Sequence, residues 1–401
     1  MSPSVRRVRV LVTDGDSRSA LAVVRSLGRR GYTVVTSGER RRCIAAASRY
    51  STNFIQYPSP AREPDAFVAT VMESVSSRHI DILIPTTDVT TLLLTMHRAR
   101  LPAGCALPFS TFEAISEASD KARLVDLAQK LGVPVPGTTV IASSAELALH
   151  AGRMRYPLVI KPARSRVLIG TGWVACGVRY AGSEKELLAI TAGLLPEMFP
   201  LLLQERITGE GVGVFACYDR GNPVAFFSHR RLREKPPSGG VSVLSESAPL
   251  DPDALKLATR LLDALSWHGV AMVEFKRDNR DGSLRLMEIN ARFWGSLQLA
   301  IDSGVDFPAL LADLARQEPV SAPSDYKVGV RNRWLLGDLD VLISVMRSRR
   351  LSLNLPTGFP SRLGLLVEFM RFWQPDLHYD VLRLEDPMPG IVEFAQWLSI
   401  S

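Results

Sequence analysis

The segment "LMEINARFWGS", residues 286–296, sets a glutamate and an asparagine two residues apart in an apolar run and follows them with Arg292. Read as a strand, alternation puts Leu286, Glu288 and Asn290 on one face and Met287, Ile289 and Ala291 on the other. Acidic and amide side chains on a central strand are costly unless something satisfies them. The residues before it, "GVAMVEFKRDNRDGSLRLMEIN" (269–290), have the alternation and turn residues of a β-hairpin. With the turn centred on Asp281, Glu274 stands directly opposite Glu288, a spacing of about 4.5–5.5 Å between Cβ atoms. Two carboxylates that close repel unless a cation lies between them. Asn290 adds a neutral oxygen, and the three together suit Mg²⁺, a hard ion that often completes its shell with nucleotide phosphates. Register is decisive, because a slip of one residue sends the glutamates to opposite faces. The plain alternative is an edge hairpin whose charges face water. Arg292 weighs against it, since a guanidinium there suits a phosphate or a substrate carboxylate.

The rest of the chain narrows the classes. It has 401 residues, 46% hydrophobic and 22% charged, enough for two or three domains with real cores. No apolar run approaches the roughly 18 residues of a membrane span, and "VLV" in the leading "MSPSVRRVRVLVTDGD" is too short for a signal peptide. Cys43, Cys105, Cys176 and Cys217 lie far apart with no CxxC pair, as expected of reduced thiols in a cytoplasmic protein. A net charge of +7 raises nucleic acid as a partner. Apart from "ERRR" (39–42) and "RSRR" (347–350) the charge is scattered, and no aromatic-basic module appears, so specific nucleic-acid binding is not expected. Of 48 basic residues only eight are lysine, and 40 are arginine. A retained lysine therefore marks places where a compact point charge is wanted, Lys121 and Lys161 among them.

Strand–helix alternation over the first hundred residues, from "RVRVLVTDG" (7–15) through "DILIPTTD" (81–88), predicts a doubly wound parallel sheet. Its first turn, "TDGDSRSA", lacks GxGxxG, so no dinucleotide site is expected there. "SDKARLVDLAQKLGVPVPGT" (119–138) reads as a capped helix and a Pro-punctuated loop. "YPLVIKPARS" (156–165) is a strand with Lys161 at its end, and "RSRVLIGTGWVACGV" a hairpin with a mobile tip. "LLLQERITGEGVGVFACYD" (201–219) is strand, connector, strand. "VAFFSHRRLREKPPSGGVSVLSES" (224–247) is a strand running into a basic Pro/Gly-rich loop. The last 75 or so residues carry no readable motif.

"VEFKRD…LMEINAR" resembles the metal-binding hairpin of the ATP-grasp superfamily, and three further motifs fall in that family's order. "SDKARL" resembles the segment of its first nucleotide-binding lysine, here Lys121. "PLVIKPARS" resembles the strand whose lysine, here Lys161, contacts phosphate and adenine. "LLLQERITGEG" resembles the hinge for adenine and ribose, here Gln204, Glu205, Ile207 and Glu210. "NARFWGSLQLAIDSGVDFP" looks like a branch of carboxylate–amine ligases similar to carbamoyl-phosphate synthase and D-aspartate ligase. The resemblance implies an α/β chain in three parts: a doubly wound pre-ATP-grasp domain (1–115), a two-lobed α+β ATP-grasp domain (116–318) and a C-terminal extension (319–401). It implies ATP with Mg²⁺, or Mn²⁺ as substitute, held by Glu274, Glu288 and Asn290. Arg292 and Arg230, with Arg231 and Arg233 as alternatives to the latter, are implied as the catalytic cations, and "RSRVLIGTG" and "REKPPSGG" as loops closing over the triphosphate. The implied reaction joins a carboxylate, such as that of an amino acid, to an amine through an acyl phosphate, with a homodimer as a compatible assembly. A non-catalytic nucleotide sensor or scaffold and an ATP-dependent carboxylase are the rival readings.

Overall fold

The computed structural model describes residues 7–164, 166–170, 172–348, 355–356 and 358–400. The first six residues of the leading segment, Ser165 and Thr171 of the first predicted loop, and Arg349 and Arg350 of "RSRR" lie outside the described residues. In the N-terminal part, β1 (Arg9–Val12), β2 (Thr33–Gly38), β3 (Ser51–Gln56) and β4 (Ile82–Ile84) form a parallel sheet in the order β3-β2-β1-β4. Its crossovers include α1 (Arg18–Arg29), whose start is capped by the Ser17 hydroxyl accepting from the Ala20 N–H, and α2 (Pro64–Ser77). α3 (Asp88–Met96) follows β4 and carries Asp88 at its first turn.

α4 (Phe112–Ser119) leads to α5 (Lys121–Lys130), with Asp120 between them. The Asp120 carboxylate caps α5 by accepting from the N–H groups of Ala122 (3.1 Å) and Arg123 (3.3 Å), which sets Lys121 at the first position of the helix. A small lobe follows: β5 (Thr138–Ile141), β6 (Leu158–Pro162), the hairpin β7 (Arg166–Ile169) and β8 (Gly172–Ala175), then β9 (Arg179–Ala181) and β10 (Leu201–Glu205). Its main sheet runs β5-β10-β6-β9 and packs a core of its own around Ile141, Leu158, Ile160, Leu201 and Leu203.

The large lobe is a seven-stranded sheet. β11 (Gly211–Asp219), β12 (Asn222–Lys235), β13 (Val241–Ser247), β14 (Gly269–Arg277), β15 (Leu284–Asn290), β16 (Arg331–Arg333) and β17 (Leu377–Tyr379) take the order β15-β14-β11-β12-β13-β16-β17. One buried cluster runs from Val10 of β1 through Phe215, Trp267 and Phe293 to Val381, so the N-terminal part and the large lobe share a core. The segment after residue 318 supplies β16 and β17 to this sheet and also reaches the N-terminal part. There Arg25, fully buried, donates from Nε to Asp386 (2.8 Å) and from Nη1 to the Asp380 carbonyl (2.9 Å). Among the described residues no helix is long and apolar enough to cross a membrane.

Two sequence expectations are corrected here. Cross-strand pairing near the turn couples Arg277 to Leu284 and Phe275 to Leu286, which centres the turn half a residue before Asp281. A bulge then inserts Met287 and restores Glu274 opposite Glu288. Strict alternation through 286–291 therefore fails at its first step, and Leu286 pairs with Phe275 instead of sharing Glu288's row. The second correction concerns "REKPPSGG": β12 continues through Lys235, which pairs with Val241, leaving only residues 236–240 as a turn. That turn is anchored away from the glutamates, since Lys235 pairs with Asp340 at 2.5 Å and lies 5.3 Å from the centre of the Trp334 ring.

Candidate functional site

The pairing of β11, β12, β14 and β15 lines up His229, Gly213, Glu274 and Glu288 in one row across the large-lobe sheet. Gly213 leaves space in that row, since a Cβ there would come within 3.3 Å of the Phe215 ring. Glu274 and Glu288 are bridged by the Asn290 amide, whose Nδ2 donates to both carboxylates (3.1 and 3.2 Å). Arg292 closes one end: Nη2 donates to Asn290 Oδ1 (3.1 Å), Nη1 to the Phe293 carbonyl (2.9 Å) and Nε to Asp88 of α3 (2.8 Å). Arg231 closes the other, with Nη2 on Glu274 Oε2 at 2.5 Å and Nη1 on Glu234 at 3.0 Å.

The electrostatics follow from this crowding. Burial, with Glu288 adding to it, raises the Glu274 carboxyl above its ordinary value against the pull of Arg231. Burial works against the charge on Arg231, but Glu274 and Glu234 outweigh it and its guanidinium stays firmly protonated. Two carboxylates whose repulsion is relieved by arginines form an oxygen-rich spot that a hard dication fits. Among the described residues no three His, Cys, Asp or Glu side chains converge on a metal position. The protein thus offers a partial oxygen set, which phosphate and water oxygens would complete.

Two cations, one from α5 and one from the small lobe, come to the same region. The Lys121 N–H donates to the Ala163 carbonyl (2.8 Å), tying the start of α5 to the end of β6 beside Lys161. Lys161 Nζ donates to Gln204 Oε1 (2.8 Å), and Gln204 Nε2 in turn donates to Thr138 (3.0 Å). Burial lowers the Lys161 ammonium to about 8, opposed by Glu288 and reinforced by Lys121, so the two lysines and the glutamate feel one another. Lys121, Lys161, Gln204, Leu286 and Met287 line a small cavity between the lobes. Neighbouring residues of a regular strand would not both face it, so the bulge shapes its floor.

A larger cavity of about 250 Å³ adjoins Glu288, Asn290 and Arg292. Its apolar wall comes from Val89, Leu92 and Met96 of α3, Phe112 of α4 and Trp173 of β8. Trp173 is held by its N–H on the Ala61 carbonyl (2.5 Å), so the β7–β8 hairpin packs onto the N-terminal part. The Trp173 indole Nε1 is buried without a hydrogen-bond partner.

Several predicted residues are placed elsewhere. Arg230 does not face Glu274: pairing puts it on the opposite side of β12, where its guanidinium bonds Glu246. Arg231, one residue on, is the one on the Glu274 side of the strand. Arg233 is likewise on the far side, on Asp338 (2.5 Å). Of the hinge residues only Gln204 lines the small cavity. Glu205 is paired with Arg280 and accepts from the Gly137 N–H (3.4 Å). Ile207 is buried, and its carbonyl accepts from Lys276 Nζ (3.4 Å), so Lys276 braces the connector. Glu210 is exposed and its carbonyl accepts from the Arg277 N–H (2.9 Å). His229 is a core residue, stacked on Phe215 and bonded to Ser296 (2.8 Å), and burial lowers its pKa to about 3. Asp88 and Trp173 were missed by sequence reasoning. Asp88 looks like an ordinary first-turn acid, and nothing local marks Trp173.

The family described as "ATP-grasp in the biosynthetic pathway with Ter operon" matches residues 197–337. The D-aspartate ligase of Enterococcus faecium (strain Aus0004) is 20% identical over 275 residues, 62% of this chain and 63% of that protein. The D-alanine–D-alanine ligase of Pseudomonas entomophila (strain L48) is 24% identical over 186 residues, 43% of this chain and 54% of that one. The chain thus spans less than two thirds of the length of these relatives. Among solved structures, N5-carboxyaminoimidazole synthetase from Staphylococcus aureus superimposes with a TM-score of 0.61 at 13% identity, covering 82% of this chain and 83% of that one, a likeness of fold alone.

Proposed function

We propose that the chain, whose residues 197–337 match an ATP-grasp family, is an ADP-forming ligase that joins a carboxylate to an amine with ATP and Mg²⁺. The observation that carries the reading is that Lys121 of α5 lines one cavity with Glu288 and Asn290 of the large lobe and another with Lys161 of the small lobe. Glu274, Glu288 and Asn290 would hold Mg²⁺ by their oxygens, and bound there it would supply charge neutralisation for the phosphates. Lys161 and Lys121 meet the nucleotide phosphates from the other side. Adenine takes the slot floored by Leu286 and Met287.

Arg292, pinned by Asp88 and Asn290, orients the substrate carboxylate at the mouth of the larger cavity. A carboxylate oxygen attacks the γ-phosphorus, the bond to the ADP oxygen breaks, and an acyl phosphate forms. The amine nitrogen then attacks the acyl carbon, phosphate leaves with the C–O bond electrons, and the nitrogen gives up a proton. Charge stabilisation, supplied by Arg231, Arg292 and the lysines, is the main requirement of such transfer. No protein nucleophile is needed, and His229, in the row of Glu274, is stacked on Phe215 and pushed down by burial.

The test is trapping. With ATP, Mg²⁺ and a panel of acids that includes amino acids and apolar acids, hydroxylamine intercepts the acyl phosphate as a hydroxamate, releasing ADP and phosphate in equal amounts. AMP with pyrophosphate in place of ADP refutes the acyl-phosphate route. Tight ATP binding with no turnover on any acid supports a sensor instead.

A further inference from the structure

The strands that carry Arg231 to the metal face carry other arginines to the opposite one. Pairing sets two rows across β12, β13, β16 and β17: Arg230, Glu246, Arg331 and Leu377 in the first, Arg233, Leu244, Arg333 and Tyr379 in the second. Leu232 is the inserted residue that brings Arg233 to the same side as Arg230. Between these rows and the segment that follows the helix Arg362–Phe369 lies a cavity of about 380 Å³, walled in part by Arg233, Arg331, Arg333, Arg371 and Glu368.

Its charges do not balance. Asp338, fully buried, serves both Arg233 (2.5 Å) and Arg333 (2.6 Å). Glu246 serves both Arg230 and Arg331 (2.6 Å). Two carboxylates therefore answer four guanidiniums. The third, Glu368, reaches Arg233 at 2.8 Å but is 45% exposed, and Arg371 adds another positive charge to the wall. Arg333 is 2% exposed, lies 4.4 Å from the centre of the Phe369 ring, and has its Nη2 buried with no hydrogen-bond partner. A buried guanidinium with an unfilled donor beside a surplus of like charge favours an acceptor anion.

We propose that this cavity is a second anion site that takes a small molecule bearing a phosphate group. A phosphate dianion offers three oxygens, enough to engage a guanidinium fork in bidentate fashion and leave another for the Arg333 donor. The volume exceeds what a bare phosphate fills and lies within the range of small-ligand sites, about 300–1,000 Å³. Leu232 and Leu244 give the remainder of such a molecule an apolar surface. The site is separate from the nucleotide site, because it lies on the other face of the sheet.

Calorimetry on the full chain tests this with the nucleotide site saturated by Mg²⁺ and a non-hydrolysable ATP analogue. Inorganic phosphate is titrated in one arm and glycerol 3-phosphate in the other. The expected result is one site per chain, weakened at least tenfold by Arg371→Glu and by Arg331→Ala, with the affinity for the nucleotide analogue unchanged. Tighter binding of glycerol 3-phosphate supports a phosphorylated metabolite as the occupant, and equal binding supports free phosphate. No binding of either by the wild type overturns the proposal, as does wild-type affinity in Arg371→Glu. Arg371 is exposed, so its variant keeps the test decisive if Arg331→Ala fails to fold.

Discussion

The two faces of the seven-stranded sheet handle charge in opposite ways. On the metal face two carboxylates crowd together, and the arginines beside them, Arg231 and Arg292, act as temporary partners for a position that suits a dication. On the arginine face guanidiniums outnumber carboxylates, and Asp338 and Glu246 are each shared between two of them. The same side-chain chemistry thus yields an excess of acid on one side of a strand and an excess of base on the other. Removing a carboxylate should therefore relieve strain on the first face and create it on the second.

Asp338→Ala gives the largest expected effect. It leaves Arg333 without a carboxylate and Arg233 with Glu368 alone, and should destabilise the fold by about 3–5 kcal/mol, read by denaturant melting. A loss under 1 kcal/mol would break the contrast between the faces. Glu288→Gln should do the reverse, keeping or raising the melting temperature while lowering ADP formation by about 10²–10³-fold, because metal and phosphate charge lose their ligand. Wild-type turnover in this variant removes the hairpin from the proposed chemistry.

Adjacent residues sharpen the comparison further. Arg231→Ala is expected to lower turnover by roughly 10²-fold, the scale of losing one charge-stabilising donor. Arg230→Ala, one step along the same strand, should stay within about twofold of wild type. Equal losses from the two would show that strand facing does not decide the role.

The smallest effect is a pH dependence at Glu393. The Glu393 carboxyl accepts from the Trp334 indole N–H (2.6 Å), and burial raises it to about 7 from an ordinary 4.5. The folded protein keeps this proton over a range where the unfolded chain has lost it. The resulting stability is fullest below pH 4.5 and drains away as pH rises through about 7. Glu393→Gln retains an acceptor oxygen and removes the titration, so the decline in melting temperature between about pH 5 and 7.5 should flatten, by at most roughly 3 kcal/mol. An unchanged slope assigns the decline to other groups.

Much of this was legible in the chain. The parallel N-terminal sheet, the α5 cap at Asp120, the strand bearing Lys161 and the Glu274–Glu288 opposition all follow from local patterns of period, turn chemistry and capping. The hairpin register came out right for an incomplete reason. The turn alone would have paired Glu274 with Met287, and the bulge at Met287 makes up the missing residue. Bulges have no firm sequence signature, because they depend on what the partner strand and the layer beneath require. Which of Arg230, Arg231 and Arg233 meets Glu274 was not legible, since strand alternation separates Arg230 from Arg231 and the Leu232 insertion returns Arg233 to the Arg230 side.

The sequence by itself determined which residues are candidates for chemistry and in what order they lie, because local spacing and residue type record such needs directly. Tertiary structure decided which of them meet. The Lys121 N–H joins β6 only when the small lobe closes on α5, Asp88 reaches Arg292 across 204 residues, and β16 and β17 build the arginine face from a tail with no motif. Each of these contacts links segments distant in the chain. Only the packing of the sheets and the bulges that set their facing could bring them together.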